Sequence, residues 1–566
     1  MKILIIGGVA GGATAAARLR RLDETAEIVM LERSGFVSYA NCGLPYYIGG
    51  TIQEKQALTL QTPESFRARF RIDVRVRHEV TAIHPREKTV TVRRLEDGSE
   101  YSESYDKLLL SPGAKAVAPN LPGVDLPGIF TLRTVEDTYR IREFIDQTHP
   151  RRAVVVGGGF IGLEMAENLV ESGIETTLLQ RGVQVLPPID GDMACEVHRY
   201  LRSKGVDLRL KEAIAGFAQT PAGLETLLTG KEPVASDLII LAIGVVPETH
   251  LAKDAGLALG AKDAIAVNDR METSLPDIYA VGDAVEIRHF VSGQKALIAL
   301  AGPANKQARI AADNLLGGDS RFHGTQGSSV IKLFDMTVAS TGLNEKSAAA
   351  AGIAADWVVT FSASHATYYP GATDMTIKTL FDPASGKILG AQIVGFTGVD
   401  KRLDVLAAAI HAGATAADLA ELDLAYAPPY SSAKDPVNMA GFVIENLRAG
   451  LVRQHHPREV EALPRDGSVT LLDVRSQAEM QGGWIPGAVH IPLDDLRARL
   501  GELDVAKPVY VNCYSGLRSY LACRILSQNG FTCSNLSGGY RLYESIYGDS
   551  CYDADPKHPC GVKIAR

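Results

Sequence analysis

The sequence predicts a multidomain protein of the α/β class, with two strand–turn–helix–strand units, an α+β segment and a separate α/β module. Three observations carry this prediction. Glycine-rich turns follow apolar strands at residues 7–12 and 157–162, strands and helices mix over 321–445, and another strand–loop–helix pattern lies beyond residue 458. A chain of 566 residues is too long for one hydrophobic core, so several domains are expected.

The composition narrows the class of protein. A net charge of -8 argues against a nucleic-acid partner, and no apolar run reaches the length of a membrane span. The seven cysteines are scattered, lack the paired spacing of a zinc site and do not form a secreted disulfide pattern. Strand-like sequence begins at Lys2 without a cleavable signal. We therefore expect a cytoplasmic protein with no metal and no membrane insertion.

The first repeated unit predicts a dinucleotide site of the Rossmann type. The strand Lys2–Ile6 leads into a glycine-rich turn, a helix expected over 13–22 and a second strand that ends in an acid. Glycines let the backbone approach a pyrophosphate, the helix N-terminus favours its charge, and the acid binds a ribose hydroxyl. A structural βαβ turn is the alternative, because Val9 replaces the usual middle glycine. The candidate cofactor-binding residues are Gly7, Val9, Ala10, Gly12 and Glu32.

The second unit has the complete glycine fingerprint, but its second strand ends in Gln180 and Arg181 instead of an acid. Arg181 could accept a 2′-phosphate, so the choice between NADH and NADPH stays open. Two such units in one chain predict FAD in the first and a nicotinamide cofactor in the second. The candidate nicotinamide-cofactor residues are Gly157, Gly159, Phe160, Gly162 and Arg181. Two further strand–turn segments supply the expected flavin contacts Ser111, Gly113 and Asp283.

These turns, together with the stretch around Cys42, resemble the pyridine nucleotide–disulfide oxidoreductase family over about residues 1–445. Most members carry a Cys-x4-Cys pair, whereas Cys42 in SYANCGLPYYIGG stands alone. A single redox cysteine must cycle as a mixed disulfide, a persulfide or a sulfenic acid. The stretch is similar to the single-cysteine branch of coenzyme A-disulfide reductases and NADH oxidases or peroxidases. Ala10 stands where the peroxidases have a histidine, which argues against peroxide as the substrate.

The same resemblance implies a homodimer that binds coenzyme A. In that branch two tyrosines reach across the dimer to the catalytic cysteine, and the matching positions are Tyr368 and Tyr426. The alternative is that these aromatic rings only pack the interface. Arg18 and Arg21 lie one helical turn apart, where a phosphate could sit between them. The positions that match the family's coenzyme A contacts are Thr14, Arg18, Arg21, Ser38, Asn41, Asn305 and Lys434.

The C-terminal module is organised around Cys513. A strand over 509–512 leads into the loop CYSGLR at 513–518 and then into a helix. A thiol at a helix N-terminus lies among N–H groups that favour the nucleophilic thiolate. The order of motifs resembles a single-domain rhodanese, which implies a persulfide on Cys513 and a role for Arg518 in holding either an anionic sulfur donor or that persulfide. The alternative is a buried structural cysteine. Cys551 and Cys560 could form a disulfide or be inert.

As a whole the chain resembles the coenzyme A-disulfide reductase–rhodanese fusions, which are NAD(P)H-dependent reductases of coenzyme A persulfide and polysulfide. The resemblance implies that coenzyme A persulfides and sulfane-sulfur donors are substrates and that hydrosulfide is released at Cys42. The alternatives are a plain coenzyme A-disulfide reductase, an NADH oxidase with an accessory module, and a redox or sulfide sensor. The expected domains are FAD-binding 1–115 with 250–320, NAD(P)H-binding 116–249, dimerisation 321–445, a linker 446–457 and rhodanese 458–566.

Overall fold

In the computed structural model, which describes residues 1–548, the chain divides into two units. The first comprises Met1–Gly182 and Arg209–Gly327, and the second comprises Val183–Leu208 and the described residues 328–548. The sequence predicts 183–208 within the nicotinamide-cofactor domain, whereas its helix Gly191–Ser203 packs in the second unit. The α/β class is confirmed. Cys551 and Cys560 lie outside the described residues.

Two five-stranded sheets form the framework of the first unit. All pairs of the first sheet are parallel, in the order Ile278–Ala280, Lys107–Leu110, Lys2–Ile6, Glu27–Glu32 and Asp73–Val76. The second sheet has the order Asp207–Leu210, Glu175–Gln180, Arg152–Val156, Leu238–Leu241 and Ile129–Thr131. The central strands, such as Lys2–Ile6, Arg152–Val156 and Leu238–Leu241, are buried on both faces, which explains their nearly continuous apolar runs.

Smaller elements complete the first unit. Two three-stranded antiparallel sheets comprise His78–His84, Thr89–Arg94 and Glu100–Ser104, and Ile214–Thr220, Gly223–Leu228 and Lys231–Ser236. The short strands are Ala114–Ala116 with Val245–Pro247, and Ile265–Ala266 with Val285–Arg288 and Lys295–Ala296. The helices are Ala10–Leu22, Asn41–Gly43, Leu44–Ile48, Lys55–Leu58, Pro63–Phe70, Val135–Thr148, Phe160–Glu171, His250–Asp254, Ala261–Asp263 and Ala301–Leu315.

The second unit contains one antiparallel and one parallel sheet. The antiparallel sheet has the order Ser329–Leu333, Met336–Gly342, Ile388–Gly395, Asp374–Phe381 and Asp356–Ala363. The parallel sheet has the order Gln454–His455, Cys533–Leu536, Val509–Asn512, Thr470–Asp473 and Val489–His490. The helices are Gly191–Ser203, Glu345–Ala350, Val399–Ala412, Ala416–Glu421, Pro436–Arg448, Pro457–Val460, Gln477–Met480, Leu493–Leu496, Leu500–Glu502, Leu517–Gln528 and Gly539–Tyr547.

The segment 446–457 is not the linker that its polar composition predicts. The helix Pro436–Arg448 extends into it, and Gln454–His455 forms the edge strand of the parallel sheet. Two strand residues are too few to show a periodicity, so composition alone could not reveal this pairing. Among the described residues, no helix combines the length and apolarity that crossing a membrane would require.

Polar side chains join the C-terminal module to the antiparallel sheet inside the second unit. The ring of His456 stacks on Trp357 with centroids 3.7 Å apart and bonds Asp356 Oδ1 at 3.1 Å. Arg541, which is 1% exposed, contacts Asp374 Oδ2 at 3.1 Å and lies over the Phe361 ring. We call these six residues the module junction. It fixes the C-terminal module to the sheet with directed contacts.

Candidate active sites

The first glycine turn brings two backbone segments close together in front of a helix N-terminus. Gly7 has a φ of +95°, and a Cβ at this position would lie 2.1 Å from the Ser111 carbonyl oxygen. The helix Ala10–Leu22 has no side-chain cap and no acid in its first turn. Its first amides are therefore free of an internal acceptor and favour a bound anion.

Polar groups of the predicted flavin site lie around this turn. Glu32 accepts hydrogen bonds from the amides of Gly8 and Ser34, both at 2.8 Å, so its carboxylate is fixed at the end of its strand. The carboxylate of Asp283 pairs with Arg133 Nη2 at 2.9 Å. Gly113 has a φ of +70°, which makes the tight turn after the strand Lys107–Leu110. The uncapped helix and the fixed acid fit the binding of FAD.

The second glycine turn repeats this geometry with a neutral group in place of the acid. Gln180 Oε1 accepts from the Gly158 amide at 3.1 Å, as Glu32 does from Gly8. The helix Phe160–Glu171 again has no side-chain cap, and a Cβ at Gly159 would meet no atom within 4 Å. Arg181 is exposed beside the turn. These residues fit a dinucleotide. Because Gln180 replaces the acid, no carboxylate at this strand end is available to bind the ribose hydroxyls.

Cys42 is exposed on the short helix Asn41–Gly43. Partial burial raises the pKa of its thiol, Glu164 raises it further, and Arg133 opposes both. Asn41 makes two hydrogen bonds to Arg133 when its side-chain amide is oriented to satisfy both. It donates to the Arg133 carbonyl oxygen and accepts from the Arg133 guanidinium, each at 3.1 Å. Arg133 therefore links the cysteine segment to Asp283 of the flavin site.

Sequence reasoning missed Arg133 and Glu164. Arg133 lies outside every motif, so no local signal identifies it. Glu164 follows the last glycine of the second fingerprint by two residues, and this position could have singled it out. Burial, and then the charge of Glu167, raise the pKa of Glu164 to about 7. The thiol thus has a neighbouring carboxyl that titrates near neutral pH.

The structure brings together part of the expected coenzyme A set. Thr14 Oγ1 donates to Asn305 Oδ1 at 2.6 Å, where the helices Ala10–Leu22 and Ala301–Leu315 pack. Arg18 Nε is engaged by Asp313 Oδ1 at 2.8 Å, whereas Arg21 is exposed. Ser38 lies at a φ of +47°, and its amide donates to the Gly8 carbonyl oxygen of the first glycine turn at 2.8 Å. Lys434 belongs to the second unit and is exposed.

The two tyrosines of the second unit form a pair. Their hydroxyl oxygens are 2.9 Å apart, and the side chains of Tyr368 and Tyr426 are 74% and 48% exposed. The hydrogen bond with Tyr426 raises the pKa of Tyr368, so this phenol stays protonated at neutral pH. A hydroxyl pair of this kind can donate a proton to an anion that approaches it.

A buried arginine holds the two tyrosine segments in place. Nη2 of Arg402 donates to the Ser364 carbonyl oxygen and to Ser431 Oγ, both at 3.0 Å, and pairs with Asp435 at 3.0 Å. Ser364 begins the loop that carries Tyr368, and Ser431 follows the segment that carries Tyr426. Sequence reasoning missed Arg402, because the contacts that define its role are made to distant residues.

The loop 513–518 surrounds the second candidate nucleophile. The thiol of Cys513 accepts hydrogen bonds from the Gly516 amide at 3.0 Å and from Ser519 Oγ at 3.2 Å. Gly516 adopts a φ of +102° and starts the helix Leu517–Gln528. Two donors aimed at one sulfur stabilise a thiolate or persulfide anion. Tyr540 N donates to the Cys513 carbonyl oxygen at 2.8 Å and holds the base of the loop.

Arg518 is held by an acid that sequence reasoning missed. Its two terminal nitrogens contact the Glu479 carboxylate at 2.6 and 2.7 Å. Burial alone would raise the pKa of Glu479, but hydrogen bonds from Arg518 and Ser476 outweigh it and lower that pKa to about 2. The pair is therefore fully ionised at neutral pH. A buried pair between Arg475 and Asp473, at 2.7 Å, lies in the same module.

The remaining described cysteines are free thiols, and three acids of the second unit converge on a lysine. Cys533 Sγ donates to the Cys523 carbonyl oxygen at 3.3 Å, and both thiols, like Cys195, are free. Three acids converge in the second unit, but the ammonium of Lys378 lies among them and contacts all three. The contacting carboxylates belong to Asp190, Asp192 and Glu345.

Three family models match the chain. They are pyridine nucleotide-disulphide oxidoreductase over residues 1–308, the dimerisation domain of that family over 328–436, and rhodanese-like domain over 456–545. A coenzyme A disulfide reductase from Staphylococcus haemolyticus is 39% identical over 449 residues, covering 79% of this chain and 100% of that protein.

Two solved structures are similar over nearly the whole chain. Reduced CoADR-RHD from Bacillus anthracis has a TM-score of 0.94 and 49% identity, covering 96% of this chain and 98% of that one. An NAD-dependent persulfide reductase from A. fulgidus has a TM-score of 0.89 and 36% identity, covering 97% and 100%. The similarity extends through the second unit as well as the first.

Proposed function

Because this chain belongs to the pyridine nucleotide-disulphide oxidoreductase family, we propose that it uses NAD(P)H and FAD to reduce coenzyme A persulfide, polysulfide and coenzyme A disulfide at Cys42. The rhodanese-like domain supplies sulfane sulfur through Cys513. One observation carries the proposal: the chain combines a lone exposed cysteine beside a flavin-type turn with a second thiol cradled by donors. The persulfide reductase that it resembles aligns with 97% of this chain and over 100% of its own length.

The glycine turns and their uncapped helices are the proposed cofactor sites. Bound FAD would accept hydride from NAD(P)H and deliver two electrons to the disulfide at Cys42. Glu32 would hold a ribose of the flavin dinucleotide, whereas Gln180 would leave the second site without an acid that selects NAD. Comparing steady-state rates with NADH and NADPH decides the nicotinamide cofactor. A strong NADPH preference would assign the 2′-phosphate to Arg181.

Cys42 performs the covalent step. Its thiolate attacks the inner sulfur of coenzyme A persulfide, the bond to the outer sulfur breaks, and hydrosulfide leaves with the electron pair. Two electrons and one proton then cleave the Cys42–coenzyme A disulfide into a thiolate and a thiol. With coenzyme A disulfide as the substrate, coenzyme A thiolate leaves instead of hydrosulfide.

The tyrosine pair is assigned to the departing anion. By resemblance to coenzyme A-disulfide reductases, Tyr368 and Tyr426 of one subunit act at Cys42 of the other in a homodimer. Their free hydroxyl would donate a hydrogen bond to the leaving thiolate or hydrosulfide, which stabilises the developing negative charge and lowers the barrier of the step. The match to a dimerisation domain over 328–436 supports the dimer.

Cys513 performs a sulfur transfer that needs no electrons. Its thiolate attacks the sulfane sulfur of a donor, and the donor's sulfur–sulfur bond breaks. Coenzyme A thiolate then takes the outer sulfur, which forms coenzyme A persulfide and restores the Cys513 thiolate. The pantetheine arm could carry the sulfur to Cys42.

Two cysteine variants test this division of labour. Cys42→Ser should lose NAD(P)H-driven hydrosulfide release but keep flavin reduction by NAD(P)H. Cys513→Ser should lose sulfur transfer from a donor but keep the reduction of preformed coenzyme A persulfide, and Cys195→Ser is the matched control. Turnover that persists in Cys42→Ser, or the loss of both activities in Cys513→Ser, would contradict the proposal. A coenzyme A adduct on Cys42 in the purified yellow protein would support it.

A plain coenzyme A-disulfide reductase is the second candidate, and the relative from S. haemolyticus favours it. The two candidates differ in their preferred substrate. A higher kcat/KM with coenzyme A disulfide than with coenzyme A persulfide would favour this second function. Oxygen consumption without a sulfur substrate would instead indicate an NADH oxidase.

A further inference from the structure

The charge balance of the loop around Cys513 restricts which sulfur donors can react there. Arg518 is the guanidinium of this loop, and both of its terminal nitrogens are occupied by Glu479. Glu479 is itself fixed, because it accepts from the amide and the hydroxyl of Ser476 at 2.9 and 2.8 Å. The pair leaves the loop with no net charge from Arg518.

Sulfane-sulfur donors differ in the charge that they bring to the thiolate. Thiosulfate is a dianion, and its reaction with a thiolate places sulfite, a second dianion, beside the newly formed persulfide anion. An organic persulfide carries at most one negative charge at its outer sulfur, reacts through its protonated form RSSH and releases a single thiolate. Like charges in a partly buried loop repel strongly unless a cation compensates them.

We propose that Glu479 is a specificity-determining residue, which neutralises Arg518 and so makes Cys513 select organic persulfides over sulfur oxyanions such as thiosulfate. The inference rests on the proposed sulfur transfer at Cys513 and names its substrate class. Glu479 acts through Arg518 and is therefore a positioning residue for that side chain. Gly516 N and Ser519 Oγ donate hydrogen bonds to the Cys513 sulfur. These two hydrogen bonds do not distinguish an organic persulfide from a sulfur oxyanion.

The test measures how fast each donor loads one sulfur atom onto Cys513. Full-length, FAD-containing protein is mixed with thiosulfate or glutathione persulfide without NAD(P)H, and peptide mass spectrometry follows the persulfide on Cys513. In Glu479→Gln the acid's charge is removed, while the amide oxygen can still accept from Ser476. Arg518 is then free to bind the oxyanion with charge-assisted hydrogen bonds. The ratio of thiosulfate to persulfide loading rates should rise about tenfold or more.

Two readouts separate this role from a structural one. The thiosulfate rate of Glu479→Gln should fall steeply with added salt, because it depends on an unpaired cation. The gain should disappear in the double variant Glu479→Gln/Arg518→Gln. Glu502→Gln is the matched control, because it removes the same charge from an Arg–Glu pair elsewhere in the module.

The outcomes are distinguishable. If the wild-type protein loads Cys513 from neither donor, the proposed sulfur transfer and this inference both fail. If the wild type loads Cys513 but the ratio in Glu479→Gln stays within about twofold of the wild-type ratio, only the specificity role of Glu479 is refuted. An equal gain in Glu502→Gln would also refute it, since the effect would then reflect net charge.

Discussion

The tyrosine pair allows a quantitative prediction about the reductase reaction. One hydroxyl donates to the other across the 2.9 Å contact, so the pair keeps one proton for a departing anion. Replacing either tyrosine with phenylalanine leaves one hydroxyl that can still donate. Each single variant, Tyr368→Phe or Tyr426→Phe, should therefore lose no more than about tenfold in kcat. The double variant loses the last donor and should fall by about 10²–10³-fold.

The assay is the steady-state oxidation of NAD(P)H with coenzyme A persulfide as the substrate. Rapid-mixing measurement of flavin reduction by NAD(P)H should be unchanged in all variants, because that step precedes the leaving anion. Tyr369→Phe is the matched control, since Tyr369 is an exposed neighbour in the same loop. The reasoning is refuted if the double variant stays within about threefold of the wild type. It is also refuted if one single variant is already as slow as the double.

Three further predictions follow from the site and the buried groups. A Cβ at Gly12 would lie 1.8 Å from the Gly7 carbonyl oxygen, so Gly12→Val should purify without flavin absorbance, and a yellow variant would disprove this. Burial lowers the pKa of His198 to about 4. The unfolded chain then binds more protons below about pH 6.5, so the free energy of unfolding should fall towards pH 4 by up to about 1.4 kcal/mol per pH unit. Urea denaturation at several pH values should show that the free energy of unfolding depends less steeply on pH in His198→Asn than in the wild type. Finally, Glu164 raises the pKa of Cys42, so Glu164→Gln should lower that pKa and speed alkylation of Cys42 at neutral pH; an unchanged rate would contradict it.

The local parts of both sites could be predicted from the sequence. Glycines at a fixed spacing between a strand and a helix leave few backbone conformations, which is why the turns at Gly7 and Gly157 were identified. Cys513 could be placed for the same reason, because its loop lies between a buried strand and a helix. In each case the residues that define the feature are close neighbours in the sequence, as at 7–12, 157–162 and 513–518.

The groups that control these sites could not be found in this way. Arg133, Arg402 and Glu479 act on Asn41, on Ser431 and on Arg518 through contacts that span 29 to 92 residues of sequence. No periodicity or motif encodes such pairs. A polar composition also misled the assignment of a linker at 446–457, since a two-residue edge strand needs only backbone groups to pair.

The module junction has a consequence for protein engineering. His456 and Arg541 of the rhodanese-like module contact two aromatic rings and two carboxylates of the neighbouring sheet. Cutting the gene between these domains would leave Asp374 without its cation and Trp357 without its stacking partner. Anyone who exchanges this module for another sulfurtransferase would have to transplant these contacts with it. A truncated reductase would have to be redesigned on the face that the junction covers.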